Sequence, residues 1–183
     1  MRPVILSRTQ VARFYEGFSN RTLWPLFHYF PRAAVFDEEL WRSYRSVNQL
    51  FCDEVIAAYQ PGDTVWIHDY QLMLLPDMVR NVYPDASIGF FLHIPFPSFE
   101  IFRALPWRKE LIRGLLGADL IGFHTHDYAR HFLSAAMRLF GLENHLGRLE
   151  YENRVLRVDA FPMGIDYSVY ADAHKQSGVQ KEL

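Results

Sequence analysis

Between Asp37 and Tyr59 the apolar residues Leu40, Tyr44, Val47, Phe51, Val55 and Ala58 recur at spacings of three and four, a period that predicts an amphipathic helix. Asp37 is its N-cap, and Glu38 and Glu39 place negative charge in the first turn, where the helix dipole favours it. QPGD (60–63) then reads as a turn and TVWIH (64–68) as a strand. A helix follows over Leu72–Asn81, with Pro76 in its first turn or breaking it locally. SIGFFLHI (87–94) is the next strand. The stretch from Phe99 to Gly117 holds one or two helices interrupted at Pro106, and ADLIGFH (118–124) is a third strand. Thr125 caps a helix that runs to Phe140 with Tyr128, Phe132, Ala136 and Leu139 on one face, and Gly141 supplies the stop. RVLRVDAF (154–161) is the last strand, opening into a loop at FPMGID. Towards the amino terminus PVILS (3–7) reads as a short strand. Ser7 or Thr9 then caps a helix from about Gln10 that turns Val11, Phe14 and Tyr15 inward, and FSNRTLWPLFHYFP (18–31) breaks all periodicity. Strand and helix alternate along most of the chain, which predicts an α/β fold: a Rossmann-like parallel sheet joined by right-handed crossovers, with flanking helices covering both faces.

Two of the predicted strands run directly into polar, ring-bearing loops. VWIHDY ends β-type sequence at Asp69, and GFFLHIPFP does so at His93. Ligands of open parallel sheets bind at the carboxyl ends of the strands, so these two residues mark a candidate crevice. An ionised Asp69 offers two acceptor oxygens to the hydroxyls of a polar ligand, and it is equally a candidate N-cap for the leucine-rich segment that follows. His93 is either a satisfied core histidine or an imidazole held at the crevice by the extended IPFP loop, and the rigidity of that loop favours the crevice. Tyr15 and Trp24 bracket the polar Asn20, Arg21 and Thr22. Such rings stack on sugars and reach a hydroxyl or phosphate with their polar tips, although burial in the core is the commoner fate of a tryptophan.

Composition narrows the ligand class. Nineteen basic residues against 21 acidic ones give no electrostatic basis for binding nucleic acid or an anionic membrane, and a small polar ligand fits better. Cys52 is the only cysteine, so there is no intrachain disulfide, which favours a reducing, cytoplasmic setting. MRPVILSRTQ lacks the apolar core of a signal peptide, and no run approaches the roughly 20 apolar residues of a membrane span, so the chain reads as soluble. His124, His126 and His131 lack the spacing of a helical zinc site. Neither a glycine-rich phosphate loop nor a GxSxG elbow is present, and no metal or other cofactor is expected.

Five ordered blocks, FSNRTLWPLFHYF, VWIHDYQLMLLP, IGFFLHIPFPSFEIFRALPWR, LIGFHTHDYARHFLSA and AFPMGID, together resemble the trehalose-6-phosphate synthases, glycosyltransferase family 20, whose fold is of the two-domain GT-B type. The resemblance implies transfer of glucose from a nucleotide sugar, usually UDP-glucose, to the anomeric hydroxyl of glucose 6-phosphate, with retention of configuration and without metal. It implies that Tyr15 and Trp24 contact the acceptor and its phosphate, and that Asp69 binds acceptor hydroxyls. It places His93 beside the transferred glucose, as an orienting group and not a covalent nucleophile, with the leaving diphosphate taking the acceptor proton. Set against the family, the chain opens at PVILS, without the strand and loop that precede this point, and stops before the second Rossmann-like domain. Residues 1–170 are thus expected to be an acceptor-side domain truncated at its amino terminus, and 171–183 a tail or linker towards a nucleotide-sugar-binding domain. The 183 residues alone are expected to be inactive, because the cationic groups that stabilise the leaving diphosphate belong to that second domain. Glucosylglycerol-phosphate and aminocyclitol transferases share the scaffold, as does a non-catalytic regulatory subunit, and homo-oligomerisation is left open.

Overall fold

The structure is a computed structural model that describes residues 2–175 and 177–180. Its centre is a five-stranded sheet of β1 (Thr64–His68), β2 (Ser87–Leu92), β3 (Leu120–Phe123), β4 (Arg148–Tyr151) and β5 (Arg154–Ala160), in the order β1-β2-β3-β5-β4. The first four in that order are parallel, and β4 joins antiparallel to β5. The helical segments are α1 (Arg8–Gln10), a π-helix (Val11–Leu23), α2 (Trp24–Phe27), α3 (Glu38–Ala58), α4 (Leu75–Val82), α5 (Phe99–Phe102), α6 (Arg108–Leu116), α7 (His126–Phe140), α8 (Tyr167–Ala171) and α9 (Ser177–Gln180). The α/β class and the mainly parallel sheet are as the sequence pattern predicts.

The long helices begin and end where their caps lie. Asp37 accepts from the backbone N–H groups of Glu39 and Leu40 at 2.7 and 3.1 Å, and α3 buries Trp41, Tyr44, Val47, Asn48 and Cys52, while Ala58, expected inward, is exposed. Thr125 accepts from the Tyr128 N–H, and Gly141 ends α7 in the left-handed conformation. Pro76 lies in the first turn of α4, where its missing N–H costs nothing.

Four differences from the sequence reading have physical causes. Residues 3–7 alternate in burial like a strand, with Val4 and Leu6 half-buried and Ile5 exposed, but among the described residues no neighbouring strand pairs with them, so they form no ladder. Of the residues expected inward after them, Phe14 is buried while Val11 and Tyr15 are exposed. The hairpin partner β4 escapes the pattern because its turn is made by Glu152 and Asn153, both at positive φ, where glycine usually signals a tight hairpin. Finally, right-handed crossovers through strands in unbroken order place every connecting helix on one side of the sheet. The opposite face is left to exposed Trp66, His68, Arg157 and Phe161, so among the described residues the sheet is not covered on both faces. On that bare face the rings lie over glycines: a side chain at Gly89 would collide with the Trp66 indole and one at Gly122 with Phe91.

Among the described residues no helix is long and apolar enough to cross a membrane. Of the expected tail, 171–175 and 177–180 are largely helical, and 176 and 181–183 lie outside the described residues.

Candidate active site

Tyr15 and Trp24 are nine residues apart. In an α-helix of 3.6 residues per turn they would sit on opposite faces. The chain instead winds with i→i+5 hydrogen bonds, as in the bond from the Trp24 N–H to the Ser19 carbonyl. At roughly 4.4 residues per turn, such a winding brings nine residues round by two turns. Tyr15, Asn20 and Trp24 therefore form one stripe, and together with Tyr70 they line an open hollow of about 400 Å³. Tyr15 and Trp24 are 47% and 44% exposed, so both rings face solvent instead of the core. Trp24 is set by its neighbours. The His28 ring lies 4.0 Å from it at 32°, fixed by a 2.7 Å bond from Nδ1 to the Trp24 carbonyl, and Tyr70 lies 5.7 Å away on its other contact. The Tyr70 hydroxyl donates to Asn20 Oδ1 at 2.9 Å. Burial, with Asp69 and Tyr15 adding to it, pushes the Tyr70 hydroxyl up to about 12, so it remains a donor at neutral pH.

Through Tyr70 this hollow is continuous with the end of β1. Asp69 accepts from the Tyr70 N–H at 3.0 Å and from the His93 N–H at 3.1 Å, both at Oδ1, while its own N–H donates to the Phe91 carbonyl. Oδ2 has no partner among the described residues. The loop after Asp69 is fastened from behind by α3. The buried Tyr44 hydroxyl donates to the Tyr70 carbonyl at 2.7 Å and accepts from the Met73 N–H, and Asn48 donates to the Gln71 carbonyl and accepts from the Leu74 N–H. Two uncharged polar groups of a long helix thus fix the loop that carries the carboxylate.

His93 emerges from β2 beside Asp69, with its ring exposed on the bare face of the sheet. It stacks at 5.2 Å on His68, at the end of β1, and meets His124, just past β3, edge to face at 5.6 Å. Desolvation holds the His93 imidazole below its usual range, Asp69 works against this, and His68 and His124 add to it. The site therefore presents a neutral imidazole next to a carboxylate, an arrangement suited to ordering hydroxyl groups. Among the described residues no group of three or more His, Cys, Asp or Glu side chains could hold a metal ion.

Asp69 and His93 thus share one rim, and Tyr15 and Trp24 share one hollow that reaches it. Asn20 was noted in the sequence only as a polar residue between Tyr15 and Trp24 and His124 only as lacking zinc-site spacing, while Tyr70 and His68 were not candidates. The 15–20–24 spacing is a signal for the first, legible only if a π-period is considered. The histidines needed the strand register.

Residues 1–183 match the family model for glycosyltransferase family 20. The chain belongs to that family. It is 49% identical over 185 residues to a UDP-forming alpha,alpha-trehalose-phosphate synthase of Emericella nidulans, covering 99% of this chain and 37% of the relative. Among solved structures it is similar to a UDP-forming alpha,alpha-trehalose-phosphate synthase of Burkholderia xenovorans in complex with glucose-6-phosphate, with 30% identity and a TM-score of 0.86 over 97% of this chain and 41% of the other. It is likewise similar to the N-terminal domain of a Candida albicans trehalose-6-phosphate phosphatase, with 37% identity and a TM-score of 0.85 over 99% and 39%. The family 20 chain thus spans little more than a third of the length of these relatives.

Proposed function

We propose that this chain is the acceptor-binding part of a retaining trehalose-6-phosphate synthase, which transfers glucose from a nucleotide sugar, UDP-glucose by preference, to glucose 6-phosphate. The observation that carries this reading is the stripe of Tyr15, Asn20 and Trp24 facing Tyr70, continuous with the open oxygen of Asp69 and with His93. Rings supply a stacking wall for the apolar face of a hexose, amide and hydroxyl groups meet its polar edge, and the carboxylate accepts from its hydroxyls. In this reading His93, next to Asp69, lies beside the transferred glucose of the donor. Its role is to orient that sugar, so that catalysis rests on proximity and preorganised polar groups. No metal or cofactor enters this scheme. Residues 1–170 form the acceptor-side domain and 171–183 lead on from it, in a protein of the reducing cytoplasm.

The test is a titration of the ¹⁵N-labelled 183-residue chain with glucose 6-phosphate. Amide and indole signals of Tyr15, Asn20, Trp24 and Tyr70 are expected to move together, and Trp24→Ala to weaken binding about tenfold, the equivalent of roughly 1.4 kcal/mol. Movement confined to other regions, or none at millimolar ligand, overturns the assignment. In a coupled assay with UDP-glucose and glucose 6-phosphate, these 183 residues are expected to bind acceptor without forming product. The likeness to a phosphatase N-terminal domain favours a second reading, a family 20 fold retained without synthase activity. Acceptor binding that fails while the fold is intact would support it.

A further inference from the structure

The imidazoles of His68 and His93 approach one another nitrogen to nitrogen, with His68 Nδ1 2.9 Å from His93 Nε2. A contact of that length holds one proton between two nitrogens, so each ring dictates the tautomer of the other. The parallel register explains why they meet. His68 pairs with Phe91, and His93 lies two residues beyond Phe91 on the same face of the sheet. The contact is boxed by rings that limit its rotamers: Trp66 stands edge-on to His68 at 5.6 Å, and Phe91 lies 4.8 Å from His93. A side chain at Gly89 would displace Trp66, so the box depends on that glycine.

We propose that His68 is a positioning residue, whose Nδ1 accepts the Nε2 proton of His93 and so leaves His93 Nδ1 as a bare acceptor towards the site. Of the two ways to place the shared proton, this one lets both rings keep the Nε2–H form that neutral imidazole favours in water. The reverse would force both into the less favoured form. The groups facing His93 are Asp69 and His68 from the end of β1 and His124 from the end of β3. Asp69 accepts from the His93 backbone N–H through Oδ1, and among the described residues neither of its oxygens is hydrogen-bonded to the His93 ring. An acceptor nitrogen beside a carboxylate makes this rim selective for a ligand that donates hydroxyl protons, as a sugar does. That consequence rests on the function proposed above, whereas the tautomer does not.

The experiment is a long-range ¹H–¹⁵N correlation spectrum of the imidazole-labelled 183-residue chain at pH 7.5, free of ligand. His93 is expected to show a protonated Nε2 and an unprotonated Nδ1. His68→Phe keeps a ring in place but removes the acceptor, and is expected to collapse this to averaged, solution-like shifts. His68→Asn, whose Oδ1 can take the place of Nδ1, is expected to restore the wild-type pattern. A wild-type spectrum with the proton on His93 Nδ1, or a His68→Phe spectrum unchanged at His93, overturns the proposal. The wild-type spectrum decides even if a variant fails to fold. Absence of sugar binding with the expected tautomer present would refute the functional reading alone.

Discussion

Asp69 has φ 73° and ψ 171°, a region that is almost the preserve of glycine and costs a residue with a side chain about 1–3 kcal/mol. The two backbone N–H groups gathered by its Oδ1 offset that cost, and the bond from Tyr70 makes Asp69 the cap that was one of the two readings of the sequence. The same carboxylate caps the turn at Tyr70–Leu72 through one oxygen and presents the other to solvent. Substitutions separate the two contributions. Asp69→Ala removes the hydrogen bonds and keeps the strain, whereas Asp69→Gly removes both, so the glycine variant is expected to be the more stable of the pair by about 1 kcal/mol in urea unfolding. Equal midpoints for the two would show that the backbone here stores no strain. Asp69 and His93 were legible as strand-end residues because a buried strand that stops at a polar group is a local pattern. Their shared rim and the His68 contact depend on register between strands, which no window of the sequence contains.

Elements were legible where one period and one cap agreed. In α3 and α7 the spacing of apolar residues, the N-cap and the stop all point to the same boundaries, and these helices lie where the pattern places them. In the segment 11–23 a helix start near Gln10 was legible, but the helix was lost from Phe18 onward for the opposite reason. Its buried Phe14, Phe18 and Thr22–Leu23 recur every four to five residues, which reads as broken periodicity against a 3.6-residue template. A different close fit joins α4 to α6. A Cβ at Gly114 would fall 2.3 Å from the Met73 carbonyl oxygen and 2.8 Å from the Leu74 Cα, and one at Gly117 would fall 2.3 Å from the Asp77 nitrogen. These neighbours are backbone and cannot swing away. Gly114→Ala is therefore expected to destabilise by at least 1–3 kcal/mol, the usual cost of overpacking, even though alanine outranks glycine by roughly 1 kcal/mol in a helix interior. Gly141→Ala meets open space and only a left-handed φ of 70°, and should lose about 1 kcal/mol. Thermal unfolding of the two variants measures the difference, and a Gly114→Ala protein as stable as wild type would mean that α4 and α6 can separate without cost.

Across the whole molecule the two ends of the sheet are built from different chemistry. At the amino ends of the strands the buried Arg80 donates to the carbonyls of Gly117, Pro84 and Ala86 and to Asp119, whose second oxygen accepts from the Ile88 N–H. That clasp uses four of the five guanidinium N–H groups and both oxygens of Asp119, and it binds loops together. At the carboxyl ends stand imidazoles, aromatic rings and one open carboxylate oxygen, and there the fold responds to pH. Desolvation holds the folded His93 below its ordinary value of 6.5, with His68 and His124 acting in the same direction against Asp69. Between that lowered value and 6.5 the unfolded chain binds more protons at this residue than the folded one does. Stability contributed by a neutral His93 is thus present above 6.5 and is lost as pH falls through the window below it. His93→Gln removes the titrating group, so its urea midpoint should decline less than that of wild type between pH 7 and the acid side of this window. If the His93→Gln and wild-type curves run parallel, desolvation at this rim does not reach the imidazole, and the strand ends would have to be treated as open to water.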